Sequence, residues 1–170
     1  MRTSQLVRFY VERKSIAREF SLDKALITRF LRETSLENAS ERTWGIGTVL
    51  VKAGARAGMA LTSLNEAKDQ LLVSASENAV LPVLAEVLKK LARALKDPVE
   101  FGAPHATFCV LTGQRALGRW SHPSLVFVYV KPLTEGSTHV LLEGYSNDYG
   151  GMAARSEVKR ILKELGLCFR

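Results

Sequence analysis

Residues 71–95, LLVSASENAVLPVLAEVLKKLARAL, contain the clearest change of periodicity in the chain and set the interpretation of its C-terminal part. The first four of them, residues 71–74, are typical of a β-strand, and a polar turn follows. Leucines then recur at intervals of four, three and four residues, at positions 84, 88, 91 and 95. This spacing places them on one face of a helix. We therefore predict an amphipathic helix over residues 82–96, with Pro82 in its first turn and Pro98 just beyond its end.

Three apolar segments downstream of this helix predict further strands, at residues 106–112, 125–130 and 139–143. Every residue from 125 to 130 is apolar, so we expect that strand at the centre of the sheet, with both faces covered. A final amphipathic helix is predicted over residues 153–165, with Gly166 as its C-terminal stop.

The N-terminal part of the chain has a different pattern. Short apolar-periodic stretches predict three short helices, the third over about residues 24–33 with Ser21 or Asp23 as its cap. The polar segment from Thr34 to Arg42 has no periodicity and is interpreted as a linker. Beyond it, strands are predicted at residues 47–52 and around 59–63, and the polar segment 65–69 is predicted to be a turn.

These elements predict an α+β protein in which short N-terminal helices precede a mainly antiparallel sheet with two packed helices. We expect a basic helical head over residues 1–43 and an α+β body over residues 44–170. From about residue 21 onward, the order of elements resembles that of the roadblock, longin and profilin-like modules. The resemblance implies a non-catalytic dimerisation platform that binds protein partners such as small GTPases.

Composition excludes several classes of protein. With 170 residues, 46% of them hydrophobic and 24% charged, the chain is neither disordered nor collagen-like. Its longest apolar run is far shorter than the roughly 20 residues that cross a bilayer, and the N-terminus lacks the apolar stretch of a secretory signal. Cys109 and Cys168 allow at most one disulfide, and we expect both to be reduced thiols. The sequence therefore predicts a cytoplasmic protein without membrane insertion.

The positive charge is concentrated at the N-terminus. The formal net charge is +7; residues 1–32 carry eight basic and three acidic side chains, whereas residues 33–170 carry 16 and 14. A local excess of this kind indicates a nucleic acid or another anionic surface as partner. The alternative is a solvated helix face.

Residues 15–31, SIAREFSLDKALITRFL, resemble the helix-turn-helix segment of bacterial and archaeal transcription regulators. Ala17 supplies the small residue where the two helices cross, and Ser21 stands at the turn position where glycine is usual. The apolar residues expected on the inner faces are Ile16, Phe20, Leu22, Ile27 and Phe30.

The residues that this resemblance would place against DNA are Arg18, Lys24, Thr28, Arg29 and Arg32. Arginine can pair bidentately with guanine in the major groove, and lysine or threonine can hold phosphates or base edges. The alternative interpretation is that these are amphipathic helices packed against the body.

The sequence contains no P-loop, nucleophile elbow or HExxH motif. The histidines, at positions 105, 122 and 139, stand singly without the spacing of metal ligands. We therefore predict no catalytic residue, metal or cofactor. A polar and aromatic cluster, Tyr145, Asn147, Asp148 and Tyr149, could line a ligand site, but hydrogen-bonding turn residues explain it better.

Taken together, these features predict a DNA-binding protein of the transcription-regulator type, with a body that dimerises or senses a ligand. The alternative is a roadblock-like or longin-like interaction module without nucleic-acid binding, and the third hypothesis is an unrecognised enzyme. Two predicted helices cover one face of the sheet. The other face needs the N-terminal helices, a curled sheet or a second copy of the chain, and we predict a homodimer.

Overall fold

The computed structural model describes residues 22–40, 63–116, 119–134 and 136–169. The strand predicted at residues 47–52, and nearly all of the one around 59–63, lie outside these ranges. The elements in chain order are α1 (Lys24–Ser40), β1 (Asn65–Val73), α2 (Glu77–Leu91), β2 (Ala94–Lys96), β3 (Phe108–Ala116), β4 (Arg119–Thr134), β5 (Ser137–Ser146) and α3 (Met152–Cys168).

The described strands form a single antiparallel sheet in the order β1-β5-β4-β3-β2. β4 lies in the middle, and residues 124–128 are completely buried, as the continuous apolar run predicts. Its hairpin to β5 turns at Gly136, which has a φ of 87° and therefore suits a residue without a Cβ. The α+β class and the antiparallel sheet predicted from the sequence are confirmed.

One face of the sheet is covered by α2 and α3. Alternate strand residues point to this face, because successive side chains of a strand lie on opposite sides. They form a core with apolar residues of both helices; its fully buried members include Val110, Val126, Val128, Val140, Leu142, Leu84, Leu88, Ile161 and Leu165. The prediction that two helices cover one face is confirmed.

The opposite face is covered in part by α1. Ile27 and Leu31 of this helix are fully buried and pack against Leu125, Phe127 and Tyr145 of the sheet. Aromatic rings extend the contact through three edge-to-face pairs. The ring centroids are 5.3 Å apart for Phe30 and Phe101, 6.0 Å for Phe101 and Phe127, and 5.9 Å for Phe127 and Tyr145. The N-terminal helix thus supplies part of the cover for which the N-terminal helices, a curled sheet and a second copy of the chain were the alternatives.

The linker predicted from Thr34 is wrong over residues 34–40, because α1 continues unbroken to Ser40. Thr34 and Asn38 are buried on its inner side. The Thr34 hydroxyl donates to the Phe30 carbonyl at 2.9 Å, and the Asn38 amide oxygen accepts from Arg93 Nη1 at 2.6 Å. Polar residues that hydrogen-bond through the Thr34 hydroxyl and the Asn38 amide oxygen therefore continue the buried side of the helix. The boundary expected near residue 43 lies outside the described residues.

The bounds of α2, β1 and α3 also differ from those predicted. α2 begins at Glu77 and ends at Leu91, so Pro82 lies inside it, and residues 94–96 form β2 instead of its last turn. The chain leaves the helix at Ala92, which has extended backbone angles. Residues 65–69, predicted as a turn, are the first half of β1, and α3 continues past Gly166 to Cys168. Among the described residues, no helix combines the length and the apolarity that crossing a bilayer requires.

Candidate nucleic-acid interface

α1 begins at a cap that the sequence predicted. The Asp23 side chain accepts a hydrogen bond from the Leu26 amide at 2.9 Å, and its carbonyl accepts from the Ile27 amide at 2.9 Å. The Asp23 amide donates to the Phe101 carbonyl at 3.1 Å. The cap satisfies an otherwise unpaired amide of the first turn and ties the start of the helix to the segment before β3.

The helical spacing divides the outer side of α1 into two ridges. Residues four apart lie one above the other, so Lys24, Thr28 and Arg32 form one ridge. Arg29 lies on the neighbouring ridge, where Ala25 precedes it and the exposed Glu33 and Glu37 follow it. Glu33 directly follows Arg32 in the chain and lies one helical turn beyond Arg29, so acidic side chains border the basic ones toward the C-terminal half of α1.

The four described residues of the predicted DNA-binding set differ in exposure. Lys24 and Arg29 are exposed, whereas Thr28 and Arg32 are half-buried. The Thr28 hydroxyl donates to the Lys24 carbonyl at 2.7 Å, and the Thr28 carbonyl accepts from the Asn147 amide nitrogen at 3.2 Å. The structure therefore places Lys24 and Arg29 where a partner can reach them, and it gives Thr28 local contacts that hold the helix.

The fifth residue of the set, Arg18, lies outside the described residues, as do Ile16, Ala17, Phe20 and Ser21 of the helix-turn-helix segment. The remaining apolar residues of that segment are described. Ile27 is fully buried, and Leu22 and Phe30 are partly buried against the same cluster. For residues 22–40, the contact with the body is the one that the packing interpretation predicts.

A row of alternating charges connects α1 to the sheet. The Lys24 ammonium lies 3.4 Å from Oε2 of Glu66 on β1, and the other oxygen of Glu66 pairs with Lys68. The Lys68 ammonium also lies 3.4 Å from Oε1 of Glu143 on β5. The side chains are 63%, 29%, 41% and 7% exposed in the order Lys24, Glu66, Lys68, Glu143. We call these four residues the charge row; it leads from the exposed end of α1 to a buried carboxylate.

Sequence analysis missed three members of the charge row. Glu66 and Lys68 belong to the segment predicted as a turn, and Glu143 was identified only as part of a strand. The local sequence carries no signal for this strand, because Asn65 and Asp69 are polar as well and residues 65–70 show no period-2 alternation.

A second set of polar side chains, His139 and Gln70, lies on the face of the sheet that carries the charge row. His139 and Glu143 alternate with core residues of β5 and therefore share the face of Tyr145. His139 Nε2 lies 3.1 Å from the side-chain oxygen of Gln70, which β5 pairing brings across from β1. His139 is only 3% exposed. Burial lowers its pKa below the usual 6.5, and Lys131, its neighbour on β4, lowers it further.

The lowered pKa of His139 predicts a loss of stability in acid. In the folded protein this imidazole binds a proton less readily than in the unfolded chain, where its pKa is near 6.5. The stabilisation is therefore present above pH 6.5 and decreases as the pH falls below it, by at most about 1.4 kcal/mol per pH unit for one group. Urea unfolding of wild type and His139→Gln between pH 7.5 and 5 measures this contribution; equal pH dependence of the two proteins would contradict it.

The polar and aromatic cluster after β5 is structural in its described side chains. Tyr145 belongs to the core, and Asn147 donates to the Thr28 carbonyl. Asp148 accepts from the Ser146 hydroxyl and, at 3.0 Å, from the Ala153 amide at the start of α3. The turn interpretation accounts for these contacts, because they fix the entry into the last helix.

The described residues give little support for catalysis or metal binding. Both cysteines are free. Burial raises the pKa of the Cys109 thiol, and the nearby Glu100 carboxylate raises it further, so this thiol is not a nucleophile near neutral pH. Within the described ranges, no group of three or more His, Cys, Asp or Glu side chains is arranged to hold a metal ion.

Comparisons with known proteins give no family for this chain. No family model matches it, and no curated protein does either. A solved structure to which it is similar is norcoclaurine synthase from Thalictrum flavum in complex with dopamine and hydroxybenzaldehyde. The identity is 12%, the match covers 72% of this chain and 83% of that chain, and the TM-score is 0.30. At this score the similarity carries no inference about fold or function.

Proposed function

We propose that the protein binds duplex DNA through its basic N-terminal part, to which α1 contributes Lys24 and Arg29. The observation that carries the proposal is the placement of Arg29. This arginine is exposed on the outer side of a helix whose inner side is fixed to the sheet. A guanidinium presented on a rigid helix is suited to base or phosphate contacts in a groove.

Charge and helix orientation support the same proposal. Eight of the chain's 24 basic residues lie within its first 32 residues, and such a concentration attracts the phosphate backbone. The ridge of Lys24, Thr28 and Arg32 lies beside Arg29. If this side of α1 faces a DNA groove, the groove contacts basic and hydroxyl groups. Glu33 and Glu37 lie further along α1, and they favour docking of its N-terminal half.

The proposal predicts DNA binding that weakens with salt and depends on Arg29. Each contacted phosphate contributes about −0.9 to the slope of log affinity against log salt concentration. Arg29→Ala should weaken binding, by about 1–3 kcal/mol if the side chain reads a base. Gel-shift titrations of wild type and this variant at several salt concentrations measure both effects.

The matched control is Arg155→Ala. Arg155 is exposed on α3, which packs on the opposite face of the sheet. Its replacement changes the net charge equally but should leave the affinity nearly unchanged. If wild type does not bind any duplex at low salt, the proposed function is wrong; equal losses in the two variants would mean that only net charge matters.

The role of the body stays a prediction. Ligand sensing is supported by the buried His139 and Glu143, since buried ionisable groups are frequent in ligand sites. The roadblock-like alternative, with a homodimer and a small-GTPase partner, is supported by element order alone, and cytoplasmic location is likewise a prediction. The need for a second copy as cover is reduced, because α1 packs on Leu125 and Phe127.

A further inference from the structure

Glu66 lies between two cations from different elements. Its two carboxylate oxygens contact the ammonium groups of Lys24 on α1 and Lys68 on β1. An anion held by two lysines from separate elements is the arrangement in which proteins also hold phosphate. The carboxylate therefore occupies a position at the edge of the proposed interface that a phosphate could take.

We propose that Lys24 marks a phosphate position of the DNA interface and that Glu66, which lies between Lys24 and Lys68, is the intramolecular competitor for it. This inference rests on the proposed function. When DNA binds, a backbone phosphate replaces Glu66 as the ion-pair partner of Lys24. Without DNA, the Glu66 carboxylate holds the Lys24 ammonium at the surface.

Lys24 is the cation that this exchange releases. Lys68 has a second partner in Glu143, whose side chain is only 7% exposed, and it remains there to compensate that buried carboxylate. Lys24 is 63% exposed, and Glu66 is its ion-pair partner among the described residues. An exposed pair of this type changes an equilibrium by up to about fivefold. The competition is therefore weak enough for a phosphate to win.

Replacing Glu66 should accordingly strengthen DNA binding. We expect the full-length Glu66→Gln variant to bind a short duplex about twofold to fivefold more tightly than wild type. Its salt slope should be steeper by up to about 0.9, the value for one additional phosphate contact. Fluorescence anisotropy of a labelled duplex, titrated at several salt concentrations, measures affinity and slope together. Thermal melting by circular dichroism verifies that the variant is folded.

The matched control is Glu86→Gln. Glu86 pairs with Lys89 at 2.8 Å on α2, on the other face of the sheet. This substitution removes the same charge and also frees a lysine, so it corrects for net charge. In the double variant Lys24→Gln/Glu66→Gln, the gain in DNA affinity over wild type should disappear, because the Lys24 ammonium that Glu66→Gln releases is missing.

The outcomes separate the inference from the proposed function. If wild type binds and Glu66→Gln gains no more than Glu86→Gln, the competitor role is wrong and DNA binding stands. A gain that persists in the double variant also overturns the inference, because Lys24 is then not the cation involved. If none of the proteins binds a duplex at low salt, both proposals fail together.

Discussion

Leu31→Asp is expected to unfold the protein or to leave α1 detached from the sheet. Leu31 is fully buried in the cluster that includes Ile27, Phe101 and Phe127. A carboxylate at this position would lose its hydration without gaining a partner. The milder Leu31→Ala should lower the free energy of unfolding by about 2–5 kcal/mol, a large part of the 5–15 kcal/mol or so that is typical of a domain.

Ala25→Asp is the control for this prediction. Ala25 lies on the exposed side of the same helix, in its first turn, where an acidic residue suits the helix dipole. We expect its stability to stay within about 0.5 kcal/mol of wild type. Urea unfolding followed by circular dichroism compares the variants. If Leu31→Ala unfolds like wild type, α1 is not held by the sheet, and the separate head expected from the sequence becomes the better description.

The central part of the sheet could be predicted because its cause is local. An apolar run such as residues 125–130 has no stable place except between two covered faces, and β4 is found there. The buried residues of α3 were predicted for the same reason, since Val158, Ile161 and Leu165 repeat at helical spacing.

The extension of α1 could not be predicted because its cause is distant in sequence. Asn38 is buried, and its side-chain oxygen accepts a hydrogen bond from Arg93, which lies just before β2. Nothing near Asn38 in the chain indicates this partner. The same applies to the charged first half of β1: residues 65–69 become a strand because they pair with residues 142–146 of β5.

The candidate interface was predictable only where its cause is local in the sequence. The ridge of Lys24, Thr28 and Arg32 follows from a spacing of four residues on one helix. The charge row does not, because Glu66, Lys68 and Glu143 meet only through the register of β1 with β5. Sequence patterns therefore identified the exposed cations, and the structure showed the Glu66 carboxylate that pairs with one of them, Lys24.

Gly144→Ala is expected to destabilise the protein by about 1–3 kcal/mol. Gly144 lies on β5 where α3 crosses the sheet, opposite Val126 of β4. A Cβ at this position would meet Cγ2 of Val158 at 2.7 Å and the carbonyl oxygen of Ala154 at 3.1 Å. The first contact requires a buried side chain to move, and the second involves helix backbone. α3 would have to shift away from the core.

Gly166→Ala is the matched substitution and should have the opposite sign. Gly166 lies inside α3, and an added Cβ there would meet nothing closer than Cδ2 of Leu71, at 3.9 Å. Alanine in a helix interior is favoured over glycine by about 0.5–1 kcal/mol. Urea unfolding of both variants therefore tests two features at once: the close approach of α3 to β5, and the continuation of that helix past the residue expected to end it. Stabilisation by Gly144→Ala would contradict the first feature, and destabilisation by Gly166→Ala would contradict the second.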